Sequence, residues 1–235
     1  VWNDQGSLWA FKSDVDTIND YGDLSGNASV SGKFIQVPRD IAVGEQAGLE
    51  NFSNMNNVFQ FIRAEDIAYD RNKPNVVYLA DTGEPRAVPG TAVPPNPPRL
   101  ARGGAVPPNQ PGQWSNGRIF RFELDKKDPT IVKSLSILID GDVRGAAGVK
   151  ALDLIHQPDN LETTKRFLYI QEDPGSHNHY PVDDPNGTPA RIWEYDLKRK
   201  SIRVLATVNQ DADGGPTDVA PIGPNALWGA WESSG

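Results

Sequence analysis

The chain has no cysteine, which excludes disulfides, thiolate-held zinc, iron–sulfur clusters and every thiol nucleophile. Helical periodicity is almost as scarce: apolar residues rarely recur at three- and four-residue spacing, and residues 42–55 alone are expected to be helical. No apolar run approaches the roughly 18 residues a spanning helix needs, so no membrane span is expected. Positive charge is in deficit, with 23 Lys and Arg against 31 Asp and Glu for a net −8. That balance argues against nucleic acid as a partner, because phosphate neutralisation needs cations. Gly-x-Ser-x-Gly, the P-loop and Gly-x-Gly-x-x-Gly are missing as well, so a serine hydrolase or nucleotide-cofactor mechanism lacks its signature. There is no initiator Met and no basic leader; residues 1–11 read as the interior of a strand pair, and the chain is expected to be processed or truncated.

What is abundant is turn chemistry, with 22 Gly and 20 Pro among 235 residues. Between those turns lie short runs rich in Val, Ile, Tyr, Phe and Trp, the pattern of β-strands. Strands are expected at 8–11, 34–37, 66–69, 76–81, 118–123, 135–139, 159–162, 167–171, 191–195, 203–207 and 226–231. The runs repeat. The order Arg63-Ala-Glu-Asp66, Val77-Tyr-Leu-Ala-Asp81, Arg118-Ile-Phe-Arg-Phe-Glu-Leu124, Ser134-Leu-Ser-Ile-Leu138 returns as Gln157-Pro-Asp-Asn160, Leu168-Tyr-Ile-Gln-Glu172, Arg191-Ile-Trp-Glu-Tyr-Asp-Leu197, Ser201-Ile-Arg-Val-Leu205. Tandem four-strand units are the signature of β-propeller blades, so the class is all-β. Residues 61–150 and 151–210 form one blade each, 1–60 the end of a preceding blade with its connection, and 211–235 the start of the next. A closed ring needs at least four blades. The exposed strand edges are therefore expected to be covered by the remainder of the propeller or by a companion chain. The Pro-rich loop 83–116 reads either as an extended surface arm or as a substrate lid.

In a blade, the start of the first strand and the end of the second lie at the same mouth of the channel. Glu65, Asp66, Asp159, Asn160 and Glu232 open inner strands, while Asp81, Glu172 and Asp173 close second strands, so these oxygen-bearing side chains converge on one rim. Carboxylates so close repel one another unless a cation compensates them, and oxygen-only donors suit calcium or magnesium. The competing reading makes them turn caps and a solvated rim. Asp211-Ala-Asp213-Gly214 lacks the glutamate that completes a calcium loop. His177 and His179 read as loop histidines, and His156 stands just before the second repeat. Among the arginines, Arg63 neighbours the acidic rim and is the candidate for gripping an anionic substrate. Arg118 and Arg191 hold equivalent places in the repeat and are expected to pair with carboxylates.

Six segments in this order, Arg63-Ala-Glu-Asp-Ile-Ala-Tyr-Asp70, Val77-Tyr-Leu-Ala-Asp-Thr-Gly83, Gln157-Pro-Asp-Asn-Leu161, Leu168-Tyr-Ile-Gln-Glu-Asp-Pro174, Ala190-Arg-Ile-Trp-Glu-Tyr-Asp196 and Trp231-Glu-Ser-Ser-Gly235, resemble the PhoX-type alkaline phosphatase family, a bacterial phytase-like group. The resemblance covers residues 61–235. It implies a periplasmic or extracellular phosphomonoesterase, acting on a small phosphate ester, whose channel mouth holds calcium together with iron. By motif, Glu65 and Glu172 would be metal ligands, with Asp159, Asn160, Asp173 and Glu232 as further ones; Asp66 joins the metal set by its place on the acidic rim. The family's iron is held by a cysteine, which this chain lacks. The alternative function is a non-catalytic propeller that keeps calcium for stability and binds a partner or a glycan.

Overall fold

The computed structural model describes residues 6–83, 117–142, 154–173 and 190–208. Glu232, His177, His179, Asp211, Asp213, the strand expected at 226–231 and all but the first residue of the 83–116 loop lie outside them. The strands are β1 (Trp9–Ser13), β2 (Ser29–Gln36), β3 (Ala64–Asp70), β4 (Lys73–Asp81), β5 (Arg118–Leu124), β6 (Ile131–Asp140), β7 (Pro158–Thr163), β8 (Phe167–Glu172), β9 (Arg191–Asp196) and β10 (Ser201–Thr207). They make two antiparallel sheets, one ordered β1-β2-β6-β5-β4-β3 and the other β10-β9-β8-β7. In both, four consecutive strands lie in sequence order, as the repeat predicts, and the chain is an incomplete β-propeller.

Two-residue alternation builds the core between and beside these sheets. In β4, Val76, Tyr78 and Ala80, with Ile119 of the neighbouring β5, face the second sheet, where Leu168, Ile170 and Trp193 meet them together with Ile155. Leu79 points the other way, joining Phe11, Leu24, Phe120, Phe122 and Leu135. The first blade is thus buried on both faces, which is why β4 and β5 read as nearly unbroken apolar runs. The outer layer is aromatic, with Phe11 edge-on to Phe122 at 5.6 Å and Phe61 edge-on to Phe120 at 5.2 Å between centroids.

The first segment differs from its expected role as the end of a preceding blade. β2 pairs with β6, Val30 opposite Leu135 and Lys33 opposite Ile131, and so widens the first sheet to six strands. The cause is the outer aromatic layer: Phe11, Val30 and Phe34 are covered only if the β1–β2 hairpin closes over Phe122. The expected helix is two: α1 (Arg39–Ala42) and α2 (Gln46–Asn56), which ends on Asn57 in the left-handed conformation with φ 55°. Among the described residues no helix is long and apolar enough to cross a membrane.

The two blades meet along their inner strands. Leu161 N donates to Asp66 Oδ2 at 2.8 Å, and Thr163 Oγ1 to the Tyr69 carbonyl at 2.7 Å. Partner numbers rise together, so β3 and β7 run in the same direction with their starts at the same end. That end is the mouth, and the hairpin turns lie at the other.

Candidate functional site

Each second strand ends at the mouth in a fully buried carboxylate, Asp81 on β4 and Glu172 on β8. Asp81 accepts from the backbone N–H groups of Ile62 (2.8 Å), Arg63 (3.0 Å) and Gly83 (2.9 Å). Burial pushes its carboxyl above the ordinary range, while those three N–H groups and Arg118 hold it back. The carboxylate therefore fixes the segment that carries Arg63 and Glu65. Beside it Thr82 Oγ1 donates to the Pro158 carbonyl at 3.0 Å, tying the two blades together. Gly117, at φ 90°, leaves no room for a side chain there: a Cβ would lie 2.5 Å from Pro158 Cδ and 2.6 Å from the Asp81 carbonyl oxygen.

Glu172 is held more densely. Its oxygens accept from the backbone N–H of His156 (2.9 Å) and of Arg191 (2.9 Å), from the Arg191 guanidinium (3.1 and 3.2 Å) and from Trp193 Nε1 (2.7 Å). Burial raises its carboxyl above the ordinary range, and Arg191 is the largest opposing influence. The guanidinium lies 4.4 Å over the Trp193 ring and donates to His156 Nδ1 at 2.9 Å. A guanidinium has no acceptor, so that nitrogen accepts and the imidazole carries its proton on Nε2. The charge compensation that the sequence reading assigned to a metal at Glu172 is supplied by Arg191.

The first blade repeats the arrangement with other partners. Arg118 Nε pairs with Asp140 at 3.0 Å and Asp142 at 3.4 Å, and Nη1 donates to the Tyr21 and Leu24 carbonyls. Its guanidinium sits 4.1 Å over the Tyr21 ring. Both arginines thus pair with carboxylates, as their place in the repeat predicts.

The remaining candidates lie around these fixtures. Asp66 uses one oxygen for the N–H of Ile67 (2.7 Å) and the other for that of Leu161 (2.8 Å), bridging the inner strands. Arg63 Nη2 pairs with Glu65 Oε1 at 3.3 Å, both side chains about a third exposed. Asp159, Asn160 and Asp173 are half-buried at the same mouth, where the Asp173 N–H donates to the Gln157 carbonyl at 2.9 Å. Among the described residues no three His, Asp or Glu side chains gather closely enough to hold a metal ion.

Sequence reasoning missed Gln157. It is buried at 2% exposure with φ 44°, and its Oε1 has no hydrogen-bond partner. An orphaned amide oxygen beside Asp159 and Asn160 in the chain is a hard donor of the kind calcium takes. The mouth's donors are oxygens of the kind a hard cation takes, but among the described residues they are not gathered into a metal site, and Glu172 is already engaged by a guanidinium.

No family model and no curated protein matches the chain. Among solved structures it is similar to PhoX of Pseudomonas fluorescens, determined in complex with vanadate, a transition state analogue. The TM-score is 0.54 at 16% identity, over 85% of this chain and 35% of the PhoX chain. The likeness is one of fold, and this chain spans 35% of the length of the protein it matches.

Proposed function

We propose that this chain contributes part of a metal-dependent phosphomonoesterase, with calcium at the channel mouth. The observation that carries the reading is the likeness to a PhoX structure that holds vanadate. The side-by-side alignment of the acidic starts of β3 and β7 supports it. Glu65, Asp159, Asn160, Asp173, Glu232 and the orphaned Gln157 oxygen are the donors proposed for the metal; Asp66, Asp81 and Glu172 are fixtures. Bound there, calcium would supply positive charge against phosphate oxygens. The chain's own part is placement. Asp81 holds the backbone of Arg63, whose guanidinium, paired with Glu65, is offered to the anionic ester. Glu172 and Arg191 lock the segment from Leu154 to Gln157 that leads into β7. Iron is left out because no cysteine is present to hold it as in the family it resembles. The blades that complete the ring come from the rest of the protein or a companion chain, in the periplasm or outside the cell.

A second reading, a non-catalytic calcium-stabilised propeller that serves as a binding or structural module, is favoured by the engagement of Asp81 and Glu172 with protein donors. Phosphate release from a chromogenic monoester separates the two. The phosphoesterase reading expects activity in calcium that a chelator abolishes and that Asp159→Asn with Asp173→Asn lowers by at least tenfold, about 1.4 kcal/mol of transition-state stabilisation. Calcium binding without phosphate release selects the second reading.

A further inference from the structure

The hairpin turns at the end opposite the mouth share one design. Asp70 Oδ1 accepts from the N–H groups of Asn72 (2.8 Å) and Lys73 (3.1 Å), and Asp125 Oδ1 from those of Lys127 (2.8 Å) and Asp128 (3.0 Å). Asp196 Oδ1 accepts from Lys198 (3.0 Å) and Arg199 (2.9 Å). In the remaining turn Thr164 Oγ1 takes the same part toward Arg166 (3.2 Å) and Phe167 (2.9 Å). The aspartates are committed to the backbone, and Asp70 and Asp196 are buried. The residues beside them are exposed and basic.

Two of those cations are engaged: Arg71 pairs with Glu162 at 2.9 Å and Arg166 with Asp196 at 3.2 Å. Lys73, Lys126, Lys127, Lys165, Lys198 and Lys200 are exposed and make no ion pair among the described residues, and the same holds for Arg199. All four turns share one end, since β3 and β7 run in the same direction, and Asn72 Nδ2 reaches from the first turn to the Lys165 carbonyl in the third. A chain of net charge −8 thus gathers unpaired cations on the face away from its acidic mouth.

We propose that this face docks on the surface of an anionic phospholipid bilayer. The turns, two to six residues between strands, present their tips at one end of the two sheets. Lysine is a compact, hydrated point charge suited to a diffuse field of headgroups, whereas base and duplex phosphate recognition favours the bidentate fork of arginine. Of the rings at this end, Phe167 lies under Arg166 at 4.6 Å, while Tyr69, half exposed, has Arg71 at 5.3 Å over one face.

The test is co-sedimentation of the 235-residue chain with phosphatidylcholine vesicles, with and without phosphatidylglycerol. Binding is expected only to the anionic vesicles and is released as ionic strength rises to about 0.5 M. At about fivefold per lysine, Lys126→Gln with Lys127→Gln and Lys198→Gln weakens it on the order of a hundredfold. Lys198→Gln alone, at about fivefold, serves if circular dichroism shows the triple variant unfolded. No binding to anionic vesicles, equal binding to neutral ones, indifference to the turn substitutions, or tighter binding to a DNA duplex than to the vesicles each overturns the proposal.

Discussion

Replacing Glu172 by glutamine keeps an oxygen for Trp193 and the His156 N–H but removes the charge facing Arg191, whose side chain is 6% exposed. An arginine left unpaired at that depth costs about 3–5 kcal/mol, which lowers the urea midpoint by roughly 1–2 M. Removing both partners tells a different story. Glu172→Leu with Arg191→Met eliminates two buried charges together and is expected to recover most of the loss, because a well-packed apolar pair replaces an ion pair at little cost. The assay is urea denaturation followed by far-ultraviolet circular dichroism, for the wild type, both single variants and the double variant, each with calcium and with chelator. If Arg191 neutralises Glu172, the loss is the same in both conditions. A loss below about 1 kcal/mol, or one that appears only with calcium, would refute the reasoning and return Glu172 to the metal. The pH dependence has a defined sign: burial raises the folded carboxyl, so its contribution to stability is fully present below its unfolded value and is lost as pH rises through the raised folded one.

Gly117→Ala forces a side chain into the left-handed backbone at φ 90°, between Pro158 and the Asp81 carbonyl; a loss of about 1–3 kcal/mol is expected from the backbone alone, read as a lowered denaturation midpoint, and an unchanged midpoint contradicts the packing described. Lys133→Ala moves the titration of Asp125 up from about 2, since the Lys133 hydrogen bond is the main cause of its depression. In the wild type, the stability linked to Asp125 is present above its unfolded pKa and fades as pH falls toward about 2. A carboxyl carbon chemical-shift titration measures the change, and no upward movement would rule out the Lys133 contact.

The blades were legible because their alternation is local. Every strand expected within the described residues is present, lengthened by a few residues, and the Asp, Asn and Gly clusters mark the turns. The pairing of β2 with β6 was not legible, since it joins Val30 to Leu135 across the whole first blade and depends on which aromatic layer needs a cover. The acidic rim was legible as composition but not as chemistry. A glutamate closing a strand looks the same whether its partner is a cation from solution or a guanidinium from the next strand. The available signal was in β9, where Arg191 and Trp193 alternate onto the same face beside Glu172, and in β5, where Arg118 holds the matching place. Gln157 gave no sign, because neither its positive φ nor its orphaned oxygen has a sequence signature.

The most direct test of the account is the calcium content of the purified chain, by plasma mass spectrometry after dialysis against metal-free buffer and re-titration. Calcium retained by the wild type, and lost on Asp159→Asn with Asp173→Asn while the fold persists, is the predicted result. A chain that binds no calcium at millimolar free ion, the weak limit of extracellular calcium modules at about 10⁻³ M, contradicts the proposed metal at the mouth.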